Sequence, residues 1–285
     1  MPDISVIMRA KDEEQGFLIQ ALEKLFAQSE RNTEIILVYS DFRRETLDFL
    51  EKFHNIQLVK MTSAEYSSPG ALNRGVRKSG GRILVSLNGD AVPVHDQWLS
   101  NLIAPFNDPN VAGVYGRQVP RVDATPWVSL RYEQTFGAHS DVRQRIPHFF
   151  SNVNSACRRE LWEQHPFAED VGIAEDIEWA KWACSQGYQI VYVPSAAVYH
   201  SHNYDFQQLY KRSVEEGFSL YKINLQSSGI IRLFLSYLAF SIQDVSHLLA
   251  KGKVRGSLDA LWAHLAIRYG LHAGNKKAKR ELMGK

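Results

Sequence analysis

Cysteine is scarce in this sequence, which contains only Cys157 and Cys184 among its 285 residues. These two cysteines do not have the spacing of a metal-binding pair, and they are too few for a disulfide framework. Because disulfide frameworks occur in oxidising compartments, the reducing cytoplasm is the simplest location for this chain. We therefore expect a cytoplasmic protein.

Long hydrophobic runs are also lacking. The most apolar window, IIRLFLSYLAFSI at residues 230–242, is 13 residues long and includes Arg232. A helix needs about 20 apolar residues to cross a bilayer, so this window predicts no membrane span. The chain enters a strand-like run at Ile4, and we expect no signal peptide before it.

The sequence also lacks a strong excess of one charge. Its net charge is +2, and 45% of its residues are hydrophobic. This composition is typical of a globular protein and argues against a disordered chain or one that coats nucleic acid, so no nucleic-acid partner is expected. No G-x-G-x-x-G motif follows the first strand-like run, which argues against a dinucleotide-binding oxidoreductase.

The charge that is present is distributed unevenly. Residues 250–285 contain nine Lys and Arg against two acidic residues, which leaves 24 basic and 29 acidic residues in the rest of the chain. A basic tail on a mildly acidic body suggests contact with an anionic surface, such as the inner face of a cell membrane. Packing against the rest of the chain and contact with a second copy in a homodimer are equally open for this tail.

Strand-like and helix-like segments alternate over the first ninety residues. The strand-like runs ISVIMRA, TEIILVYS, IQLVKM and RILVSL are separated by segments whose apolar residues have helical spacing. This alternation predicts an α/β fold with a mostly parallel central sheet flanked by helices. Ligands bind such sheets at the carboxyl ends of the strands, so we expect residues 9–12, 39–41 and 88–90 on one rim.

The pattern is less regular in the next part of the chain. Residues 120–150 are polar and rich in aromatic residues, with no clean period. We predict a helix beginning at residue 152, a second helix over residues 175–188, and an extended segment over residues 189–202.

Beyond residue 205 the sequence has helical periodicity. Two apolar stripes are present, and each is typical of an amphipathic helix. The stripes consist of Ile231, Phe234, Leu235, Leu238, Ile242, Val245 and Leu249, and of Leu258, Leu261, Trp262, Leu265 and Tyr269. We therefore divide the chain into a domain of residues 1–225 and a basic helical extension of residues 226–285.

The stretch Asn88-Gly89-Asp90 places one carboxylate directly after a predicted buried strand. Mg²⁺ and Mn²⁺ often take one or two protein carboxylates and complete their ligand shell with phosphates and water. Asn, Gly and Asp are also residues that strongly favour turns, and taken alone the triplet predicts a simple turn.

Two further stretches carry side chains suited to chemistry. Glu175 and Asp176 begin a predicted helix, where the helix dipole favours negative charge, so helix capping alone would explain them. His200 and His202 lie on one face of a predicted strand, a spacing suited to a metal, although two half-exposed histidines are the plainer explanation.

Together and in this order, these stretches resemble the inverting glycosyltransferases of family 2, which have the GT-A fold. The resemblance covers roughly residues 3–222, and its fine pattern is most similar to bacterial rhamnosyltransferase-type members. The segments that carry it are SVIMRAKDEE, EIILVYSDFRRET, SPGALNRGVRKSGGRILVSLNGDAVP, SNVNSACRRELW, EDIEWA and VYVPSAAVYHSHNY. The family implies transfer of a sugar from a nucleotide-diphosphate donor to a hydroxyl of a glycan or lipid-linked acceptor, as in bacterial surface polysaccharide synthesis.

The resemblance also implies roles for individual residues. Asp90 matches the metal-binding acid of the family's DxD motif, and His200 or His202, with His200 preferred, matches a further ligand for Mn²⁺ or Mg²⁺. Asp176 matches the general base, and Glu175 matches a residue that hydrogen-bonds the acceptor.

Contacts with the nucleotide sugar are implied for three loops and one helix. The family's usual acid after the second strand is replaced by Tyr39, so base recognition would use Asp41 or stacking on Tyr39. Asn73 and Arg74 fit a solvated helix face equally well, and Arg158 and Arg159 fit either a diphosphate or acceptor contact or a surface pair. The implied contact residues are Arg9, Ala10, Lys11, Glu13, Tyr39, Asp41, Gly70, Asn73, Arg74, Asn88 and Gly89.

Two alternatives belong to other functional classes. A nucleotidyltransferase would share a nucleotide-binding sheet, but such enzymes carry a glycine-rich N-terminal signature that SVIMRAKDEE lacks. A non-catalytic partner subunit with the same fold is a further alternative, because Asn88 alters the family's motif, whereas AEDIEW and VYHSH argue against it.

Overall fold

The computed structural model describes most of the chain, namely residues 3–11, 15–30, 32–53, 55–139, 148–224 and 230–283. Two compact units are present. The first comprises residues 1–119, 136–169 and 175–200, and the second comprises residues 120–135, 170–174 and 201–285. The boundary predicted at residue 225 lies outside the described residues.

The first unit is built on an eight-stranded mixed sheet with the strand order β3-β2-β1-β4-β7-β6-β8-β5. Its strands are β1 (Ile4–Lys11), β2 (Thr33–Ser40), β3 (Ile56–Lys60), β4 (Ile83–Asn88), β5 (Val92–Pro93), β6 (Val111–Val119), β7 (Asn154–Arg158) and β8 (Gln189–Tyr199). Four of the seven strand pairings are parallel, including all those among β1, β2, β3 and β4. This confirms the predicted α/β class with a mostly parallel sheet.

The described residues form ten α-helices in chain order. They are α1 (Gln15–Phe26), α2 (Arg44–Leu50), α3 (Ser68–Arg77), α4 (Trp98–Ile103), α5 (Pro126–Thr135), α6 (Arg159–Gln164), α7 (Glu175–Ser185), α8 (Phe206–Lys222), α9 (Ile230–Ala250) and α10 (Val254–Met283). A short 3-10 helix, Ala104–Asn107, follows α4. Gly187 follows α7 and has a φ of +88°, a left-handed conformation that suits glycine.

The core of the first unit lies around the central strands. Val6, Met8, Leu37 and Val85 are fully buried, as expected for parallel strands whose two faces are both covered. Helix α1 adds buried apolar side chains at helical spacing, such as Leu18 and Leu22. The carboxyl ends of these strands, where the sequence predicts the site, are therefore supported by a continuous apolar core.

Strand β7 differs from the prediction, which had a helix beginning at residue 152. The segment Asn154–Arg158 is a strand that pairs antiparallel with both β4 and β6. Its polar residue Asn154 is fully buried, where it accepts a hydrogen bond from Trp98 Nε1 (3.0 Å) and donates one to the carbonyl of Ala196 (2.8 Å). A strand with both faces covered shows no period-2 alternation, so the sequence pattern did not reveal it.

The region of residues 120–150 also differs from the prediction, because it contains helix α5 in the second unit. Trp127, Val128 and Leu130 of this helix are buried in the core of that unit, together with residues of α8, α9 and α10. The prediction missed the helix because its buried residues are few and do not repeat over several turns.

The large residues of the two predicted apolar stripes do not form the buried faces of α9 and α10. Ile231 is 74% exposed and Tyr269 is 60% exposed, and most of the other stripe residues are exposed as well. The buried side of α10 consists mainly of small residues instead, because close helix packing leaves no room for larger ones. An added Cβ on Gly274, for example, would lie 2.1 Å from the carbonyl oxygen of Val214 in α8.

Helix α9 is longer than the 13-residue apolar window suggested. Among the described residues, Ile231–Ala250 is the one helical segment long and apolar enough to cross a membrane by length and composition alone. The prediction that this segment is too short for a span is therefore wrong about its length, because the helix continues past the window through residues of mixed polarity.

Candidate active site

The predicted rim forms at the carboxyl ends of β1, β2 and β4. Arg9 of β1 is in register with Val38 of β2 on one side and with Asn88 of β4 on the other. Ala10 is in register with Tyr39. The strand pairing thus brings the predicted loops to one edge, although Asp12 and Glu13 lie outside the described residues.

Gly89 allows β4 to end close to β1. Its N–H donates a hydrogen bond to the carbonyl of Arg9 (2.8 Å), and an added Cβ would lie 2.5 Å from the Cβ of Ala10. No side chain fits there without movement of the strands. Gly89 and the buried Ala10 therefore set the backbone of the rim, and they place Asp90 immediately beyond it.

Asp90 lies beside His200, and both side chains are buried. The distance from His200 Nε2 to Asp90 Oδ2 is 3.5 Å. The other ring nitrogen, Nδ1, lies 2.8 Å from the amide oxygen of Gln118, and Gln118 Nε2 donates to Ser151 Oγ (3.0 Å). Since an amide oxygen only accepts, Nδ1 carries a hydrogen, and a neutral His200 turns the lone pair of Nε2 towards the carboxylate.

The lone pair of His200 Nε2 and the carboxylate oxygen Asp90 Oδ2 are both acceptors. At 3.5 Å from each other, they favour a positive charge between them, either a proton or a metal ion. Metal-binding histidines usually donate their second ring N–H to an oxygen, as His200 does to Gln118. The carboxylate and imidazole therefore form a donor set that fits a divalent cation. His202 follows two residues later in the second unit, where its ring stacks on that of Tyr204 (centroids 5.2 Å apart).

Asp176 lies in the first turn of α7 and keeps partial contact with solvent. Its carboxylate accepts backbone hydrogen bonds from Ile177 (2.8 Å) and from Asn152 (3.2 Å). Desolvation and the neighbouring charge of Glu175 raise the pKa of Asp176 to about 7, against the opposite effect of the two hydrogen bonds and of Arg9. A carboxyl group with this pKa can accept a proton near neutral pH.

Glu175 is buried and paired with Arg9, with 3.4 Å between Oε1 and Nη1. Ser68 Oγ donates to the same carboxylate oxygen (3.3 Å), and Arg9 also contacts Ser68. Arg9 Nε donates to Asn88 Oδ1 (2.7 Å). Arg9 thereby connects Glu175 next to the candidate base with Asn88 of the rim.

Sequence reasoning missed the supporting residues Ser68, Gln118 and Ser151. Ser68 and Ser151 each begin a segment that carries the family resemblance, and Gln118 lies in β6, but no sequence pattern distinguishes these three polar residues from their neighbours. Only strand pairing and helix placement bring these residues to Glu175 and His200.

The loop after β2 carries a group of aromatic and polar side chains. Tyr39 stacks on Phe42, with ring centroids 4.6 Å apart. Asp41 has a φ of +58°, and its carboxylate accepts a hydrogen bond from Ser63 Oγ (2.6 Å). Lys11 Nζ lies 5.1 Å from the ring centroid of Tyr66. These groups lie where the sequence predicted contact with a nucleotide base.

The prediction that Asn73 contacts the nucleotide sugar is not supported by its environment. Asn73 is buried, its amide nitrogen donates to the carbonyl of Phe167 and to Glu169 (both 2.8 Å), and its oxygen accepts from Trp162 Nε1 (3.0 Å). Its polar atoms therefore hold α3 against neighbouring elements. Arg74 on the same helix lies 3.6 Å from Glu65.

Gly70 and the arginine pair also have structural surroundings. The N–H of Gly70 donates to Ser67 Oγ, which caps α3 (3.1 Å). Arg158 donates to backbone carbonyls that include that of Val111 (2.8 Å), and Arg159 donates to the carbonyl of Gly81 (2.6 Å). The two arginines bind backbone carbonyls of turns next to the sheet, which favours a structural role over the diphosphate or acceptor contact that the resemblance left open.

Comparison with known proteins identifies relatives of this chain. The family model "Glycosyl transferase family 2" matches residues 5–165. The O-antigen chain rhamnosyltransferase RfbN of Salmonella typhimurium is 28% identical over 194 residues, which are 65% of this chain and 62% of RfbN. The O-antigen chain rhamnosyltransferase WbaN of Salmonella anatum is 28% identical over 200 residues, which are 67% of this chain and 63% of WbaN. The similarity thus spans less than two thirds of either relative's length.

Among solved structures, the chain is similar to the mannosyltransferase PcManGT from Pyrobaculum calidifontis in complex with GDP-Man and Mn²⁺. The TM-score is 0.66 with 19% sequence identity, and the similarity covers 98% of this chain and 88% of that chain. At this identity the similarity shows the fold, and it confirms the predicted GT-A fold.

Proposed function

The chain belongs to glycosyltransferase family 2, whose model matches more than half of its residues, and on that premise we propose that it is an inverting glycosyltransferase. It transfers a sugar from a nucleotide-diphosphate donor to a hydroxyl of a glycan or lipid-linked acceptor. The observation that carries this proposal is the position of Asp176. Its raised pKa suits a proton acceptor, and its carboxylate accepts a hydrogen bond from the backbone N–H of Asn152. Asn152 directly follows Ser151, which binds the Gln118 partner of His200.

The chemistry requires one base and one leaving group. The acceptor oxygen forms a bond to the anomeric carbon while the bond from that carbon to the diphosphate oxygen breaks. The acceptor proton moves to Asp176, and the bonding electrons leave with the nucleotide diphosphate. Attack opposite the leaving group inverts the anomeric configuration, and Glu175 hydrogen-bonds the acceptor.

We assign the divalent cation to Asp90 and His200, with His202 as a third ligand because it follows His200 by only two residues. A mixed carboxylate and imidazole set suits Mn²⁺ better than Mg²⁺, which prefers oxygen ligands and water. When bound, such a cation neutralises the charge that develops on the leaving diphosphate. Asn88 replaces the first acid of the family's motif, and its side-chain amide suits a ribose hydroxyl.

The residues of the rim supply the proposed contacts with the nucleotide-sugar donor. Tyr39 and Asp41 are suited to a nucleotide base, and Arg9 and Lys11 supply positive charge near the diphosphate. Further contacts are assigned to Ala10, Glu13, Gly70, Arg74 and Gly89. Asn73 is left out because its polar atoms are bound within the protein.

The sugar is proposed to be rhamnose. The relatives RfbN and WbaN are O-antigen chain rhamnosyltransferases, and the same role here would place the chain in bacterial surface polysaccharide synthesis at the cytoplasmic face of the membrane. A homodimer is compatible with this role.

An assay with a panel of nucleotide-diphosphate sugars and Mn²⁺ tests the proposal. We expect release of the nucleotide diphosphate with one donor and formation of a glycoside whose anomeric configuration, measured by NMR, is opposite to that of the donor. A retained configuration would contradict the inverting mechanism, and the absence of transfer and hydrolysis with every donor would contradict the enzyme assignment.

A further inference from the structure

Helices α9 and α10 of the second unit pack against each other, and each exposes a row of large apolar side chains. Such residues normally lie in a core, and scattered single exceptions need no explanation, whereas a row on one helix face does. The exposed residues are Ile231, Phe234, Leu235, Leu238, Ile242 and Leu249 on α9, and Val254, Leu258, Leu261, Leu265 and Tyr269 on α10. We call these residues the apolar face.

Basic residues continue the α10 row towards the C-terminus. Lys276 follows Tyr269 by seven residues, which is two helical turns, so it lies on the same side of the helix. Lys279 and Arg280 follow Lys276 by three and four residues and lie on this side as well. All three are exposed, and the α10 row is therefore apolar in its first half and positively charged in its second.

No acidic residue interrupts the row. Asp259 and Glu281, the two acids of α10, are adjacent in sequence to Leu258 and Arg280, and each is rotated by about 100° from its neighbour. Asp244, the acid of α9, is fully buried, where it accepts one hydrogen bond from Gln134 Nε2 and pairs with His264 Nε2 (both 2.8 Å). The exposed charge on this side of α10 is positive.

We propose that this surface docks on an anionic lipid bilayer, with α9 and α10 lying in the plane of the membrane interface. The apolar face enters the boundary between headgroups and acyl chains, and Lys276, Lys279 and Arg280 contact anionic headgroups. Tyr269, at the junction of the two halves, has the amphipathic ring that is typical of membrane interfaces.

Two other arrangements fit the charges and hydrogen bonds less well. A second copy of the chain docked through the same surface would present the same basic residues, and the acids of its own α9 and α10 would lie outside the row, so it would not neutralise them. A membrane-crossing α9 would have to separate Asp244 from Gln134 and His264 and place a carboxylate in hydrocarbon, which is costly. A bilayer surface supplies negative charge and an apolar layer while it leaves the Asp244 contacts intact.

Vesicle co-sedimentation of the full-length protein tests this proposal. Phosphatidylcholine vesicles with and without phosphatidylglycerol serve as probes, at low and high salt. We expect binding to the anionic vesicles that weakens with salt. The double variant Lys276→Gln/Lys279→Gln should bind about 30-fold more weakly, since each basic residue near an anionic surface contributes about 1 kcal/mol. The double variant Leu258→Gln/Leu265→Gln should bind about 10-fold more weakly or worse.

Matched controls carry the same chemical changes elsewhere on the surface. Val122→Gln replaces an exposed apolar residue in a loop, and Lys24→Gln replaces an exposed lysine in the last turn of α1. Both should bind vesicles as the unaltered protein does. Because all these positions are exposed, thermal unfolding should change little in any variant.

Several results would overturn the proposal. These are absence of binding to anionic vesicles, equal loss in the control variants, or wild-type binding by Leu258→Gln/Leu265→Gln. A dimer that this variant converts to a monomer in light scattering, without vesicle binding, would assign the face to self-association. Extraction that requires detergent would indicate a spanning α9. The readout needs no sugar transfer, so its failure is distinguishable from failure of the proposed activity.

Discussion

At the scale of single residues, the environment of the proposed base Asp176 disfavours its charged form. Its carboxylate is surrounded by protein and adjacent to Glu175, and both effects favour its protonated form. The pKa of about 7 lies above the ordinary value of 3.8. The folded protein therefore binds a proton at Asp176 at pH values where the unfolded chain has released it.

The pH dependence of stability follows from this difference. The contribution of Asp176 is fully present below pH 3.8 and is lost as the pH rises through about 7. Asp176→Asn has no such loss, so its free energy of unfolding should rise relative to wild type as the pH increases through this range. Urea unfolding at acidic, neutral and mildly alkaline pH measures this. A difference that is the same at every pH would contradict the raised pKa.

Arg9 should adjust the same group through its charge. It pairs with Glu175 and lowers the pKa of Asp176, against the larger effect of desolvation. Arg9→Gln should therefore move the acidic limb of the kcat/KM profile to higher pH. The pH dependence of transfer measures this shift, and an acidic limb at an unchanged or lower pH would contradict the proposed connection.

Asp90 should be required for metal-dependent binding of the donor. Asp90→Ala removes the carboxylate beside His200, so nucleotide-diphosphate affinity should no longer differ between Mn²⁺ and EDTA in titration calorimetry. Asp96→Ala, which removes an exposed acid a few residues further on, is the matched control and should keep the difference. Retention of metal-dependent affinity in Asp90→Ala would exclude the assigned site.

At the scale of helices and strands, the sequence pattern predicted those elements that are determined by residues close together in sequence. Strands β1, β2 and β4 were predicted from continuous apolar runs and helix α1 from apolar residues at helical spacing, whereas α7 was predicted from the acids at its start. Strand β7 was not, because its burial on both faces depends on β4 and β6, which are distant in sequence. The same holds for Ser68 and Gln118, whose partners are distant in sequence.

The apolar stripes of α9 and α10 show a second limit. Periodicity found the stripes correctly, but it could not show which side of each helix packs inside. The contact between α8 and α10 is set by Gly217, Gly270 and Gly274, where the two backbones approach closely. Small residues carry little weight in a hydrophobic pattern, so the buried side was missed.

Gly274→Ala tests that close approach. In an exposed helix this change would stabilise the protein, but here an added Cβ would meet the backbone of α8. We expect a loss of about 1–3 kcal/mol in the free energy of unfolding, measured with urea. Gly16→Ala in α1, where an added Cβ meets nothing within 4 Å, is the control and should cause no loss. Equal effects at both positions would contradict the packing.

At the scale of the whole molecule, the sequence predicted the fold and family more completely than the site. The order of motifs along the chain was sufficient for the family, since each motif is local. The geometry of the site could not be predicted from these motifs, because Asp90 and His200 belong to elements that only the sheet brings together. The exposure of the apolar face likewise depends on tertiary packing.

The proposed sugar transfer depends on Asp176 as the base. The most direct test is the transfer rate of Asp176→Asn, compared with Glu178→Gln, which neutralises a carboxylate two residues further along α7 that pairs with His165. We expect a fall of about 10²-fold or more in kcat for Asp176→Asn, with donor affinity unchanged and with near-normal activity in Glu178→Gln. Full activity of Asp176→Asn would contradict it.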